Sequence, residues 1–179
     1  MSDEVLTPQK PGDDDRRPVA GVFGKMPTTG DFVWRGLPDA FRKHWDFWLT
    51  RHIAPLGRAG AVFPQGGLRF SLPSGGRLAA GVVLPSRDSA ERHFPLSLLL
   101  IADGTLSRDE IDPWCDAALA LGPDSLSPDD LWTALDALAA PMPGGEPASG
   151  AMLLWTRGGP AIATNPADPG DALRRLLLT

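Results

Sequence analysis

One cysteine, Cys115, stands in a chain of 179 residues. An internal disulfide is therefore excluded, and a reducing compartment is the expected setting. No apolar run approaches a membrane span; the longest, around Leu96 to Ala102, is strand-sized. The N-terminus lacks the apolar core of a signal peptide. A clustered basic face is missing too. The net charge is -5, and the arginines, although they outnumber the lysines, are scattered along the chain. That balance argues against a nucleic-acid partner. These absences predict a soluble, cytoplasmic protein with no membrane span.

The common chemical signatures are absent as well. A phosphate loop ends in Gly-Lys-Ser/Thr, but here Gly24-Lys25 opens the glycine-rich stretch, and Gly30 is followed by Asp31, which would repel phosphate. There is no G-x-G-x-x-G fingerprint and no G-x-S-x-G elbow; Ser97 lies within an apolar run. No two His or Cys residues have metal-ligand spacing. Cys115, without a nearby His, reads as a small apolar residue. His44 falls on the boundary side of a helix and His52 on its apolar stripe, so both read as packed or solvated rather than ligating. Accordingly no catalytic residue, cofactor or metal is expected.

What is present is an ordinary globular composition, 42% hydrophobic and 22% charged. Residues 1–17 mix charge runs with Pro and Gly and are expected to form a disordered tail. Residues 18–179 suffice for one domain with a real core. Val19 to Lys25 reads as a strand. Pro38 opens a helix at its first position, with Phe41, Trp45, Trp48, Leu49, His52 and Ile53 on one face and Pro55 and Gly57 at its end. Leu68–Pro73 and Arg77–Pro85 flank a tight Ser-Gly-Gly turn, and the second, largely apolar, is expected to be central. Phe94–Ala102 is a further buried strand, with Pro95 near its start. Ser107 and Glu110 make a capping-box pattern, but Pro113 interrupts it, so the longer helix is expected from near Asp112 to Gly122. Ser127-Pro128-Asp129-Asp130 starts another helix. A hairpin around Gly158-Gly159 and a short helix over Asp171–Leu178 close the chain. Short connections imply antiparallel pairing. The fold class is α+β: a single-domain sandwich in which helices flank an antiparallel sheet.

Between the first strand and the first helix lies "GKMPTTGDFVWRGLP". Its glycines permit positive φ, and Asp31 is expected to accept hydrogen bonds from the amides of its own loop. Trp34 has little to pack against there and is placed to be presented.

The stretch "GVFGKMPTTGDFVWRGLPDAFRKHWDFWL" resembles the N-terminal signature of the TagF (ImpM) family of type VI secretion accessory proteins. That signature is matched by Gly24-Lys25-Met26-Pro27, Gly30-Asp31-Phe32-Val33, Arg35, Leu37-Pro38, and Trp45 with Trp48. A second block, "GVVLPSRDSAERHFPL", supplies Gly81, Pro85, Ser86, Asp88, Arg92, Phe94, Pro95 and Leu96. The chain departs from the family at Trp34, where Ser is frequent, and at Glu91, where Gly is frequent.

The resemblance implies a profilin- or longin-like sandwich over residues 18–179. It also implies a cytoplasmic, non-catalytic repressor that acts after translation by binding the forkhead-associated protein Fha. It marks Gly30, Asp31, Phe32, Arg35, Ser86, Asp88 and Arg92 as signature or partner-binding positions, and Trp34, presented in the same loop, joins them as a partner-binding candidate on its own placement. Two alternatives stand beside it: a structural subunit of the secretion machine, and a small hydrolase using Asp31 and Asp88 with Arg92 or His93. The two blocks are expected to lie side by side, with Arg35 or Arg92 paired to Asp31 or Asp88.

Overall fold

The structure, a computed structural model, describes residues 16–178. Apart from Arg16 and Arg17, the tail expected at 1–17 lies outside the described residues. The order is β1 (Val19–Gly24), β2 (Val33–Arg35), α1 (Asp39–Trp48), α2 (Ala54–Arg58), β3 (Leu68–Ser74), β4 (Arg77–Leu84) and β5 (Leu96–Ala102). Then come α3 (Arg108–Ala120), α4 (Pro128–Asp136), β6 (Met152–Thr156), β7 (Ile162–Thr164) and α5 (Gly170–Leu177). The strands form one seven-stranded sheet in the order β2-β1-β5-β4-β3-β6-β7, and every pairing is antiparallel. The α+β class is as the sequence implies, and β4 is the middle strand.

Helices cover both faces, because the central strands are apolar on both sides. Along β5 every residue is buried. Leu98 and Leu100 point to one face, where they meet Val22 and Val82 beneath Ile111 and Trp114 of α3 and Leu131 and Leu135 of α4. Leu99 and Ile101 point to the other, where Phe23, Phe70 and Leu154 meet Trp45 and Trp48 of α1 and Leu173 and Leu177 of α5. Trp45 is 1% exposed and stacks on both Trp48 (5.1 Å) and Phe70 (4.5 Å). Its indole N–H donates to Ser97 Oγ at 2.9 Å, which gives this buried hydroxyl of β5 its partner.

Four local readings are corrected. The stretch after Asp31 is not all loop: Val33–Arg35 returns along β1 as an edge strand, with Arg35 opposite Val22 and Val33 opposite Gly24. Pro38 precedes the helix rather than opening it. The helix also runs past Pro55. A π turn over Leu49–Ile53 leads into α2, and Pro55 sits in the first turn of that new segment, where its missing N–H costs little. Finally, α3 begins at Arg108. Ser107 accepts from the Glu110 amide (3.3 Å) and Glu110 accepts from the Ser107 amide (3.1 Å), so the capping box is complete. Those bonds satisfy the first-turn donors, and Pro113 then removes a single bond from a helix whose face is already buried.

Residue Arg69, which the sequence reading passed over, lies on β3 with its side chain fully buried against α3. Its guanidinium reaches Asp112 Oδ1 at 2.8 Å and Asp116 Oδ1 at 2.6 Å. Burial works against the charge, and the two carboxylates outweigh it. Trp155 donates its indole N–H to the same Asp112 oxygen at 2.9 Å.

Replacing Trp45 by Ala removes a stacked core ring and orphans Ser97, and is expected to cost about 3–5 kcal/mol. Replacing Phe47, its 65%-exposed neighbour in sequence, is expected to stay within about 0.5 kcal/mol. Chemical denaturation of the two variants checks the ordering.

Candidate functional site

The sheet register decides where the two sequence blocks meet. Leu96, which opens β5, pairs with Gly24 at the end of β1 on one side and with Leu84 at the end of β4 on the other. The loop leaving β1 and the loop joining β4 to β5 therefore emerge together at one end of the sheet. The close approach there requires a glycine: Gly24 has φ 137°, and a Cβ on it would run into the Pro95 carbonyl.

Asp88 binds the two loops together. The residue is 1% exposed. One carboxylate oxygen accepts from the amides of Ala90 (3.0 Å) and Arg92 (2.9 Å); the other accepts from Arg92 Nε (2.8 Å). Lys25 Nζ stands 3.8 Å away. Arg92 then reaches across to the first loop and donates to the Gly30 carbonyl at 2.9 Å. Two further bonds run alongside, Ser89 N–H to the Thr29 carbonyl (2.9 Å) and Ser86 Oγ to the Lys25 carbonyl (2.7 Å). Burial alone would push the Asp88 carboxyl up. The backbone amides of Arg92 and Ala90 and the Arg92 side chain outweigh it and hold the group below the usual carboxylate range.

Under this seam the signature phenylalanines pack edge to face: Phe32 lies 4.9 Å from Phe23 and 5.0 Å from Phe94, ring centre to ring centre. On the far side, the first loop and its flanking strands β1 and β2 are fastened to α4 and the segment that leads into it. Arg35 Nε donates to Asp129 Oδ1 at 3.0 Å, Trp132 donates to the Ala20 carbonyl at 3.0 Å, and Thr28 Oγ1 donates to the Leu126 carbonyl at 2.8 Å.

The eight residues singled out from the sequence thus divide. Phe32 packs, Ser86, Asp88 and Arg92 stitch, and Gly30 lends its carbonyl to Arg92. Arg35 pairs with Asp129 rather than with Asp31 or Asp88. Asp31 is exposed, and among the described residues no donor reaches its carboxylate; the loop-organising role expected of it belongs to Asp88. Trp34 remains 46% exposed on β2, with the Arg42 guanidinium 4.9 Å above its ring. Arg42 and Asp129 were not singled out, since nothing local in either segment points to Trp34 or Arg35.

As chemistry, the seam is a poor acid–base pair. Asp88 is committed to three donors and made more acidic, the opposite of a general base tuned toward neutrality. His93 is exposed, bridged through its backbone to Arg87. Among the described residues no cluster of three His, Cys, Asp or Glu is arranged to hold a metal, and burial pushes the Cys115 thiol up to about 12. No helix in the described residues is long and apolar enough to cross a membrane. What the site offers is a surface bearing the exposed side chains of Asp31 and Trp34, its backbone tied by the bonds above.

Residues 21–140 match the family model described as the TagF N-terminal domain, type VI secretion system-associated. The fold is similar to the crystal structure of PA0076 from Pseudomonas aeruginosa PAO1. The two share 25% identity with a TM-score of 0.67, over 88% of this chain and 93% of that one. No curated protein matches the chain.

Two expectations follow from the seam. Glu91 has φ 63°, a left-handed conformation that glycine adopts freely. Glu91→Gly is expected to stabilise the protein by up to about 1 kcal/mol, the relief of the left-handed conformation less the folding entropy of glycine and the exposed Glu91–Arg87 pair it removes; a rise in thermal midpoint checks it. Asp88→Asn is expected to destabilise at neutral pH. Because Asp88 titrates lower in the fold than in the unfolded chain, its contribution is present above the ordinary carboxylate range and is lost as pH falls through the depressed value. The stability gap between wild type and Asp88→Asn should therefore close in acid, as measured by denaturant titrations across pH.

Proposed function

The chain belongs to the TagF N-terminal domain family of type VI secretion system-associated proteins, and on that footing we propose that it is a cytoplasmic, non-catalytic regulator of type VI secretion. It represses after translation by binding the forkhead-associated protein Fha. The binding face is the stitched loop surface, with Trp34 at its centre and Asp31 and Arg35 beside it.

The observation that carries this reading is the exposed Trp34 on a backbone tied in place. Tryptophan and arginine carry much of the energy of protein interfaces, most of all when they are held in place before binding. Here β1 pairing, the Arg42 guanidinium and the Arg35–Asp129 bond hold Trp34. The Asp88–Arg92–Gly30 chain holds the loop behind it. A large aromatic that is left half open while its backbone is fixed so thoroughly is what a docking surface requires. The same features disfavour a hydrolase at Asp31 and Asp88, since one is solvated and the other fully engaged.

Binding of this kind acts by occupancy. Repression should scale with the amount of this protein relative to Fha, and secretion components should keep their levels.

The double variant Trp34→Ala/Arg35→Ala is expected to weaken binding to purified Fha by at least about thirtyfold, the effect of losing one to two hot-spot residues. Its circular dichroism and melt should stay close to wild type. Unchanged affinity in the folded variant removes this face, and no binding by wild type removes Fha as the partner.

A further inference from the structure

On the opposite side of α1 from its contact with Trp34, a groove of about 480 Å³ runs between the helix, the end of β3 and the Pro166–Ala167 turn. Beneath it runs a ladder of rings on successive turns, Phe41 over Trp45 at 5.9 Å, Trp45 over Trp48 at 5.1 Å, and His52 tilted against Trp48 at 5.7 Å; Trp45 and Trp48 are buried, and Phe41 and His52 at the two ends are the half-buried rings that meet the groove. Phe47, 65% exposed, forms one lip, with the Arg51 guanidinium 6.0 Å from its ring. A second hollow of about 290 Å³ continues the groove, sharing Phe41, His44 and Ser74 with it and ending at Arg77.

The charge of this surface runs against that of the molecule. The chain carries a net -5, yet the lining of both hollows holds Arg51, Arg77, His44 and His52 and no carboxylate. Among the described residues neither Arg51 nor Arg77 has an acidic partner. The nearby acids lie outside this lining: Asp46 accepts from Thr50 Oγ1 at 3.2 Å, Asp39 pairs with Arg42 at 3.7 Å, Asp103 and Glu146 line a separate hollow beyond Gly75 and Gly76, and Asp168 lies close enough to His52 to favour its charged form. The π turn at Leu49–Ile53 carries both Arg51 and His52. Such single-turn insertions recur at functional sites because they displace side chains from the regular helical phase.

We propose that this groove is a second docking surface, which takes an extended acidic segment of a partner protein, its carboxylates on Arg51 and Arg77 and its apolar side chains against Phe41 and Phe47. Aromatic rings between two unpaired arginines favour alternating acidic and apolar side chains, because an extended chain presents successive residues to opposite sides. A single-stranded nucleic acid also stacks on aromatic rings, but it carries a charge at every nucleotide and needs a basic track along its backbone, which two arginines at separate positions do not supply. The proposal is independent of the Trp34 face and of Fha.

The test is a selection of random peptides of about twelve residues, roughly 40 Å when extended, on the immobilised full-length protein. Selected peptides should be enriched in Asp and Glu with interspersed apolar residues. Their affinity should fall at least tenfold for Arg51→Ala/Arg77→Ala and for Phe47→Ala, whose side chains are exposed and whose removal should leave the melt unchanged. Trp34→Ala should bind the selected peptides as wild type does. The proposal is overturned if no peptide is enriched, if the enriched peptides are not acidic, or if the groove variants bind them equally. Tighter binding of a thymidine oligonucleotide at the same salt also overturns it. So does peptide binding that emerges only when residues 1–15 are deleted, because the chain's own acidic N-terminal segment is then the occupant.

Discussion

A carboxylate taken out of water must find donors, and Asp88 finds all three within its own turn, on Ala90 and Arg92. The amides of its own turn fix the shape of the second loop, and the Arg92 side chain that completes the set continues to the carbonyl of Gly30. The energy of satisfying one buried charge thereby positions a loop that lies far away in sequence. Arg92 is the hinge of the arrangement: it compensates Asp88 with one nitrogen and reads the first loop with another. The sheet makes this possible by bringing the ends of β1 and β4 to either side of Leu96.

The same economy recurs where β3 meets α3. Arg69 is fully buried and answered by Asp112 and Asp116, one helical turn apart on α3. Around it the core is apolar, and the pair of carboxylates fixes where α3 rests on β3. Buried ion pairs add little stability over apolar packing, but losing one partner leaves the other stranded, so they specify an arrangement more than they strengthen it. The two hydrophobic cores supply the bulk of the stability, and two clusters, each built on one buried charge with partners reaching toward solvent, fix how helix and loop sit upon them.

Much of this was legible in the sequence, because period and punctuation carry it. The apolar run of β5, the Trp45–Trp48 stripe of α1 and the Ser127 cap of α4 each have a local signature, and the antiparallel sheet follows from the short connections. Elements set by competition between local signals are harder to read. At the start of α3 the capping box satisfies two backbone donors and Pro113 removes one, and the box prevails. A three-residue edge strand such as β2 has too little length for alternation to show, and the π turn has no composition of its own. At the site, Asp31 and Asp88 are both acids among turn formers. Only the tertiary fold shows that one is solvated and the other enclosed. The partners of Arg35 and Trp34 lie in other elements; Asp129 is 94 residues away from Arg35, a distance across which a single sequence carries no signal.

The sheet ends on both sides in strands of three residues, β2 and β7. Long, flat outer strands invite foreign chains to extend the ladder, and very short ones leave almost no template for it. This protein is thus poorly suited to recruit a partner by lending its backbone. Recognition falls to side chains displayed on a closed framework, and side chains can be exchanged one at a time without disturbing that framework. A surface of this kind is free to follow a partner whose own face changes, while the frame that carries it stays the same.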